Sequence, residues 1–412
     1  MIRSRMTAMV AVAAAAAVLA ALVPAAPAVA ATVVAPSARS GMGMAYDADH
    51  GPVVLFGGSN GNGSYLGDTW TWDGTDWAQR TPVHSPSARW AMGMAHDAAH
   101  GRVVLFGGYN GSLLGDTWTW DGQWTALIPA HRPAPRYLPG MAYDAAHGRV
   151  VLFGGYGTSS LGDTWTWNGT DWAQRHPAHA PSARYGMGMA YDAAHRQVVL
   201  FGGSNGTSLG DTWTWDGSDW TQRTPAHAPS ARYVTSMAYD AAQGQVVLFG
   251  GAGSTVLGDT WAWDGSDWTQ GTPLHSASPR LSSGMAYDAG HARVVLFGGG
   301  SAKVGVLGDT WTWDGSDWSV PLLASIKLAP SSGPPGTSVQ VRGGGYAAFE
   351  KVVLRFVDST SGTTMLGSVR TGQAGAFSTQ VMIPVTATVG KQYLKARAEA
   401  SGQSAKGEFT VT

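Results

Sequence analysis

From about Ser37 onward the chain reads as short runs of alternating side chains, the period-two pattern of strands. Four such runs recur in a fixed order. The first, as in Gly41-Met42-Gly43-Met44-Ala45-Tyr46, alternates small with large residues, so one pleat face is crowded and the other nearly bare. Bare faces suit strands that converge near an axis. The second, Val-Val-Leu-Phe, is apolar on both faces, as a strand covered on both sides must be. The third alternates Thr with Trp, which puts both indoles on one face, where they are expected to lie between neighbouring sheets. An Asp-Gly-Ser/Thr-Asp turn then leads to Trp-Thr-Gln-Arg, whose polarity fits an outer edge strand.

This four-run unit occurs six times. A Gly-Gly pair closes the second run at Gly57, Gly107, Gly154, Gly202, Gly250 and Gly298, in steps of 50, 47, 48, 48 and 48 residues. A Trp-x-Trp pair follows each, from Trp70/Trp72 to Trp311/Trp313, and a third Trp falls at 77, 124, 172, 220, 268 and 318. Of the 19 tryptophans only Trp90 lies outside this lattice, so the tryptophans are architectural first. A four-stranded sheet of this composition cannot hide both faces alone, whereas sheets stacked radially around an axis can. The expectation is therefore an all-β chain: a six-bladed β-propeller of 24 strands between about Ser37 and Val320.

The lattice resembles the kelch family. The resemblance rests on the paired glycines, a downstream aspartate (Asp68, Asp116, Asp163, Asp211, Asp259, Asp309) and an aromatic residue seven positions before the third Trp. The second unit departs, since Asp121-Gly122-Gln123 shortens the turn by one residue. The resemblance implies a kelch-type propeller, a scaffold that serves as a binding platform and, less often, as an enzyme.

The two ends of the chain differ from this lattice. Arg3 and Arg5, the apolar stretch Met9 to Val23, and Ala28-Val29-Ala30 form the pattern of an export signal cleaved after Ala30. The expected organisation is a signal peptide at 1–30, the propeller at 31–322 and a further domain at 323–412. That last part opens on the turn-rich Pro330 to Gly336 and carries about seven short alternating segments in under 90 residues, which suggest a small Ig-like β-sandwich. Charged residues are 13% of the chain, about half the share usual in a soluble domain. Residues 31–325 carry 23 Asp and no Glu against 14 Arg and one Lys, while residues 326–412 carry nine basic and four acidic groups. No basic stripe points to nucleic acid. No apolar run of about 18 residues follows the first 30, so no membrane span is expected after signal cleavage. The expected product is a secreted, extracellular monomer.

Candidate chemistry is sparse. Twenty-two of the 24 aspartates occupy repeated positions and read as turn or cap acceptors; only Asp49 and Asp358 fall outside. Ten of the 12 histidines also recur, at the first hairpin turn or in the loop between units, leaving His96 and His176. No catalytic residue, cofactor or metal site is expected from these repeated groups. The sharper candidate is one end of the ring. Arg39, Arg89, Arg136, Arg184, Arg232 and Arg280 each precede the innermost strand and are expected either to surround the channel mouth as ligand donors or to brace that strand. The next residue varies between copies and includes Trp90, Tyr137, Tyr185 and Tyr233. The loop after Gly-Gly, expected on the same face, varies most and supplies Tyr65, Tyr109, Asn110, Tyr156 and Asn205. Variation on one face of a repeated scaffold is how such a scaffold carries a site, and aromatic faces beside polar donors suit sugars or anionic groups.

Two function classes follow. One is a non-catalytic binding protein for a glycan or a surface protein. The other is an extracellular carbohydrate-active enzyme, prompted by the galactose oxidase family, which also joins a kelch propeller to an Ig-like domain. The copper-radical cofactor of that family needs a cysteine cross-linked to tyrosine, and this chain has no cysteine.

Overall fold

Each repeat forms one antiparallel meander. In the first, Gly43–Tyr46 pairs with Val53–Ser59, which pairs with Tyr65–Trp72, which pairs with Trp77–Arg80. Five further sheets repeat this order, at 93–127, 140–175, 188–223, 236–270 and 284–319. The computed structural model describes residues 35–412 apart from 302, 304, 322–323, 347–348, 361, 373–375 and 400–403. The expected signal peptide at 1–30 lies outside the described residues. Among the described residues the chain is all-β, and its repeated four-stranded antiparallel sheets are consistent with a β-propeller.

The alternating pattern explains how the sheets stack. One face of the fourth sheet presents Met187, Met189, Val198, Leu200, Trp215 and Trp220 to Ala142, Val151 and Phe153 on the opposite face of the third. Trp220 meets Phe153 edge to face, with ring centroids 5.3 Å apart, and its indole N–H donates to the Thr164 hydroxyl at 3.0 Å. The same set recurs at all six junctions, including sixth to first, where Trp77 packs on Phe297 and donates to Thr310 at 2.9 Å. The bare face of each first strand is filled by its neighbour: the thioether of Met94 lies over Gly43, and that of Met141 over Gly93.

The axis is closed by backbone. Gly41, Ala91, Leu138, Gly186, Val234 and Ser282 stand at equivalent points of the six repeats, and all have left-handed φ between 47° and 66°. Each N–H donates to the carbonyl of the equivalent residue in the preceding repeat, at 2.6–3.0 Å, and Gly41 donates to Ser282 to complete the circle. Holding four non-glycine residues there costs roughly 1 kcal/mol apiece, which the ring of hydrogen bonds offsets. This geometry also corrects the first strand, expected from Gly41: the ladder begins at Gly43 in the first sheet, because Gly41 is committed to the ring. The ring borders a cavity of about 110 Å³.

A second correction concerns the third strand. Its second Trp is buried in every sheet, but Trp118, Trp165, Trp213, Trp261 and Trp311 are only half-buried. Each of these five instead gives its indole N–H to the aspartate two residues earlier, as Trp213 does to Asp211 at 2.7 Å. Residues beyond 324 form a three-stranded sheet (Ser325–Ala329, Ser338–Gly344, Phe377–Met382) and a five-stranded sheet. The two close on a common core that includes Val339, Val341, Leu354, Phe356, Leu394 and Phe409.

Because every junction is built alike and the ring is closed, loss of one plug is expected to be felt everywhere. Trp220→Ala removes a fully buried indole and its hydrogen bond, at a cost of about 3–5 kcal/mol. Thermal unfolding is expected to show a single transition moved downward. Two transitions, one at the parental temperature, would speak against ring closure.

Candidate functional site

The end of the ring where the first strands begin and the second strands finish carries the variable positions. There the Gly-Gly pair bulges: in the first sheet the register shifts between Phe56 and Gly58, and Gly57 and Gly58 have φ of 66° and 106°. A Cβ on Gly57 would stand 2.6 Å from the Arg89 carbonyl oxygen, so only glycine fits. The bulge frees the Gly58 N–H to donate to that same carbonyl at 2.8 Å.

The six arginines are not at the surface. Each is buried, with its guanidinium turned inward onto the third strand of its own sheet. Arg184 donates through Nη1 and Nη2 to the two carboxylate oxygens of Asp211 at 2.6 and 2.9 Å. Its remaining N–H groups go to the Gly202 carbonyl, the Ser182 carbonyl and the Ser182 hydroxyl. Arg39, Arg89, Arg136, Arg232 and Arg280 clasp Asp68, Asp116, Asp163, Asp259 and Asp309 in the same way. The expectation of six ligand donors around the mouth is corrected accordingly: these groups are buried and brace the scaffold, with every donor taken except one N–H of Arg136, where Ala134 replaces the serine. Burial opposes ionisation of Asp211, but the bonds from Arg184 and the Trp213 indole outweigh it and hold the carboxyl below its usual range.

The residues after the arginines behave differently. Trp90 bridges to Tyr109 and Tyr137 to Tyr156, side by side on adjoining strands, while Tyr185 and Tyr233 bridge to Ser204 and Ala252. All are half-buried, except the small partners Ser204 and Ala252, which are buried. Together with Tyr65 the aromatic residues make one continuous arc. Successive ring centroids are 6.0 Å apart from Tyr65 to Tyr109, 5.8 Å to Tyr137, 5.5 Å to Tyr156, 5.2 Å to Tyr185 and 6.3 Å to Tyr233. Trp90 joins at Tyr137, 5.8 Å away. The arc crosses five sheets and stops at the sixth, where Leu281 and Gly300 take the equivalent places. Burial, and then the neighbouring phenols of Tyr156, Tyr185 and Tyr109, push the Tyr137 hydroxyl above the usual phenol value, so it stays a neutral donor and acceptor. Asn110 and Asn205 stand outside the arc. Their carboxamide oxygens accept the Ser112 and Thr207 N–H groups at 3.3 Å and shape their own loops.

At the opposite end of the strands the histidines cap aspartates. His100, His147, His195 and His291 each reach the buried carboxylate three residues earlier at 2.8–2.9 Å. His131, His179, His227 and His275 link each loop to the turn of the next sheet through Asp171, Asp219, Asp267 and Asp317. Where the second unit is one residue short, Gln123 Oε1 accepts the Val83 N–H in that role at 3.0 Å. One cluster breaks the pattern: Asp47, Asp49 and His96 bring ligand atoms within 4.8 Å of one another. Asp49 and His96 are visible in the sequence as exceptions to the repeat, but nothing there shows that they meet.

No family model matches the chain, and no curated protein matches it. Among solved structures it is similar to a fungal alcohol oxidase of the AA5 family in complex with copper, at 16% identity over 90% of this chain and 85% of that one, with a TM-score of 0.45. It is also similar to a tetra-tandem repeat from the extending region of a large adhesion protein, at 12% identity over 88% and 81%, with a TM-score of 0.20. Neither likeness bears on what this chain does.

The bracing role has a pH signature. A carboxyl held below its usual value stabilises the fold above pH 3.8, and that contribution is lost as pH falls through the lower folded value. Arg184→Ala leaves Asp211 largely buried without its cation, at a cost of about 3 kcal/mol, the low end for a broken buried pair because Asp211 keeps 23% exposure. Protonation relieves the orphaned carboxylate. Urea unfolding is therefore expected to show a larger deficit at pH 7 than at pH 4, and an equal deficit at both would contradict the assignment.

Proposed function

We propose that the chain is a secreted, non-catalytic binding protein in which a six-bladed kelch-type β-propeller, followed by an Ig-like β-sandwich, holds a glycan on the aromatic arc. The observation that carries this reading is the arc itself: seven aromatic side chains in unbroken contact, all at positions where the repeats differ. Six tyrosines and one tryptophan offer apolar ring surface with a polar tip, which matches a sugar ring with one C–H face and a rim of hydroxyls. The charges beneath are already paired, so the surface selects for a ligand held by stacking and neutral hydrogen bonds. An arc that crosses five sheets suits an extended oligosaccharide better than a single sugar.

A glycan array identifies the ligand class, and calorimetry on the best hit tests the site. Tyr137→Ala and Tyr156→Ala are each expected to weaken binding at least tenfold with the melting temperature unchanged, and Tyr137→Phe to keep most of it. Full binding by both alanine variants would refute the site. Capture of a surface protein in place of any glycan would keep the arc and change the ligand. Peroxide release from a bound sugar would move the reading to an extracellular carbohydrate-active enzyme.

A further inference from the structure

The junction of the first and second sheets differs from the other five at two facing positions. In the other sheets a tyrosine is the fourth residue of the first strand and its phenol meets a backbone amide of the preceding repeat's hairpin: Tyr143 at Ala99, Tyr191 at Ala146, Tyr239 at Ala194, Tyr287 at Ala242, Tyr46 at Gly290. Here the tyrosine is replaced by His96 and the facing hairpin residue by Asp49. The one propeller aspartate outside the repeat and the one imidazole at that strand position are thus in contact, His96 Nε2 lying 3.1 Å from Asp49 Oδ2.

The third member is Asp47, whose side chain is fully buried and which supplies an oxygen within 4.8 Å of both. Its carboxylate is oriented from behind by His50, whose Nδ1 stands 2.9 Å away. The same contact caps the equivalent carboxylate in four other repeats, and here it holds Asp47 in place beside Asp49 and His96. His96 is 14% exposed at its side chain and Asp49 50%, so solvent reaches the cluster on the Asp49 side. On the far side Gly101 leaves room: a Cβ there would press on the Asp49 carboxylate at 3.3 Å.

We infer that Asp47, Asp49 and His96 form a binding site for a divalent transition-metal ion of the zinc class, at the end of the ring opposite the aromatic arc. One imidazole nitrogen and two carboxylate oxygens are a donor set suited to such an ion, with the open side left for water. Two carboxylates held this close call for a cation, and an ion bound by neutral imidazole supplies it. The ion would tie the first sheet to the second at the junction where the loop-to-turn histidine link is replaced by Gln123.

The repeat itself provides the control. His96→Tyr with Asp49→Ala restores the residues that other copies carry at this junction, so the double variant is expected to fold as the parent does. In calorimetric titration of chelator-treated protein with Zn²⁺, the parent is expected to bind one more equivalent than the double variant. Saturating Zn²⁺ is expected to raise the melting temperature of the parent alone. Asp49→Asn, which keeps size and removes charge, is expected to weaken that equivalent at least tenfold. Equal Zn²⁺ uptake by parent and double variant would reduce the cluster to an ion pair that stands in for the tyrosine contact, and undiminished binding by Asp49→Asn would equally overturn the site.

Discussion

A buried guanidinium clasped to a carboxylate is the fixed point of each repeat. Arg39 spends its N–H groups on both oxygens of Asp68, the Gly57 carbonyl, and the carbonyl and hydroxyl of Ser37. Those partners come from the entry segment, the bulge after the second strand and the middle of the third strand, so one side chain sets the relative position of three elements. Its own carbonyl receives the Gly299 N–H of the preceding sheet at 2.9 Å, which carries the same constraint across the junction. A lysine could supply the charge but not the planar fork that engages both carboxylate oxygens at once. Placing an ion inside protein is costly unless every donor is satisfied, and here every donor is.

The bracing arginine also explains why a variable surface can sit directly beside an invariant one. Trp90, Tyr137, Tyr185 and Tyr233 follow arginines whose backbone bonds to the preceding sheet and whose guanidinium bonds to its own, so each ring leaves from a fixed point whatever its chemistry. Exchange at these positions changes the surface without loosening the scaffold. The arc is therefore a rigid feature assembled from one or two residues of each of five repeats.

Much of this was legible in the sequence because it is periodic. The Gly-Gly spacing, the tryptophan lattice and the small–large alternation each state a local rule, and six copies make the rule plain. The arc was legible for the opposite reason, since its members are where the copies disagree. What could not be read is whatever depends on a partner far along the chain. Arg39 precedes a strand in sequence, but its fate is decided by Asp68, 29 residues later, folding back over it. The bond from the first tryptophan of each pair to that aspartate was equally out of sight, because the sequence shows the two residues but not which way the indole turns. Asp49 and His96 stood out as exceptions, yet they belong to different sheets, and only the stacking of those sheets puts them 3.1 Å apart.

The uniformity of the junctions has a consequence for how the chain finds its order. A face bearing methionines, valine, leucine and two indoles accepts the alanine, valine and phenylalanine of its proper neighbour, and those of almost any other copy, equally well. Side-chain complementarity therefore carries little address information, and short linkers must do the sorting while the chain assembles. A sheet that docks one place too early is nearly as comfortable as the right one, a trap that near-identical repeats share. Two seams carry private marks: Gln123 holds Val83 and His96 faces Asp49 between the first and second sheets, and the Ser236 and Ser283 hydroxyls meet at 2.8 Å between the fifth and sixth. They distinguish positions in a ring whose junctions are otherwise built alike, and so give the assembling chain a place to start counting.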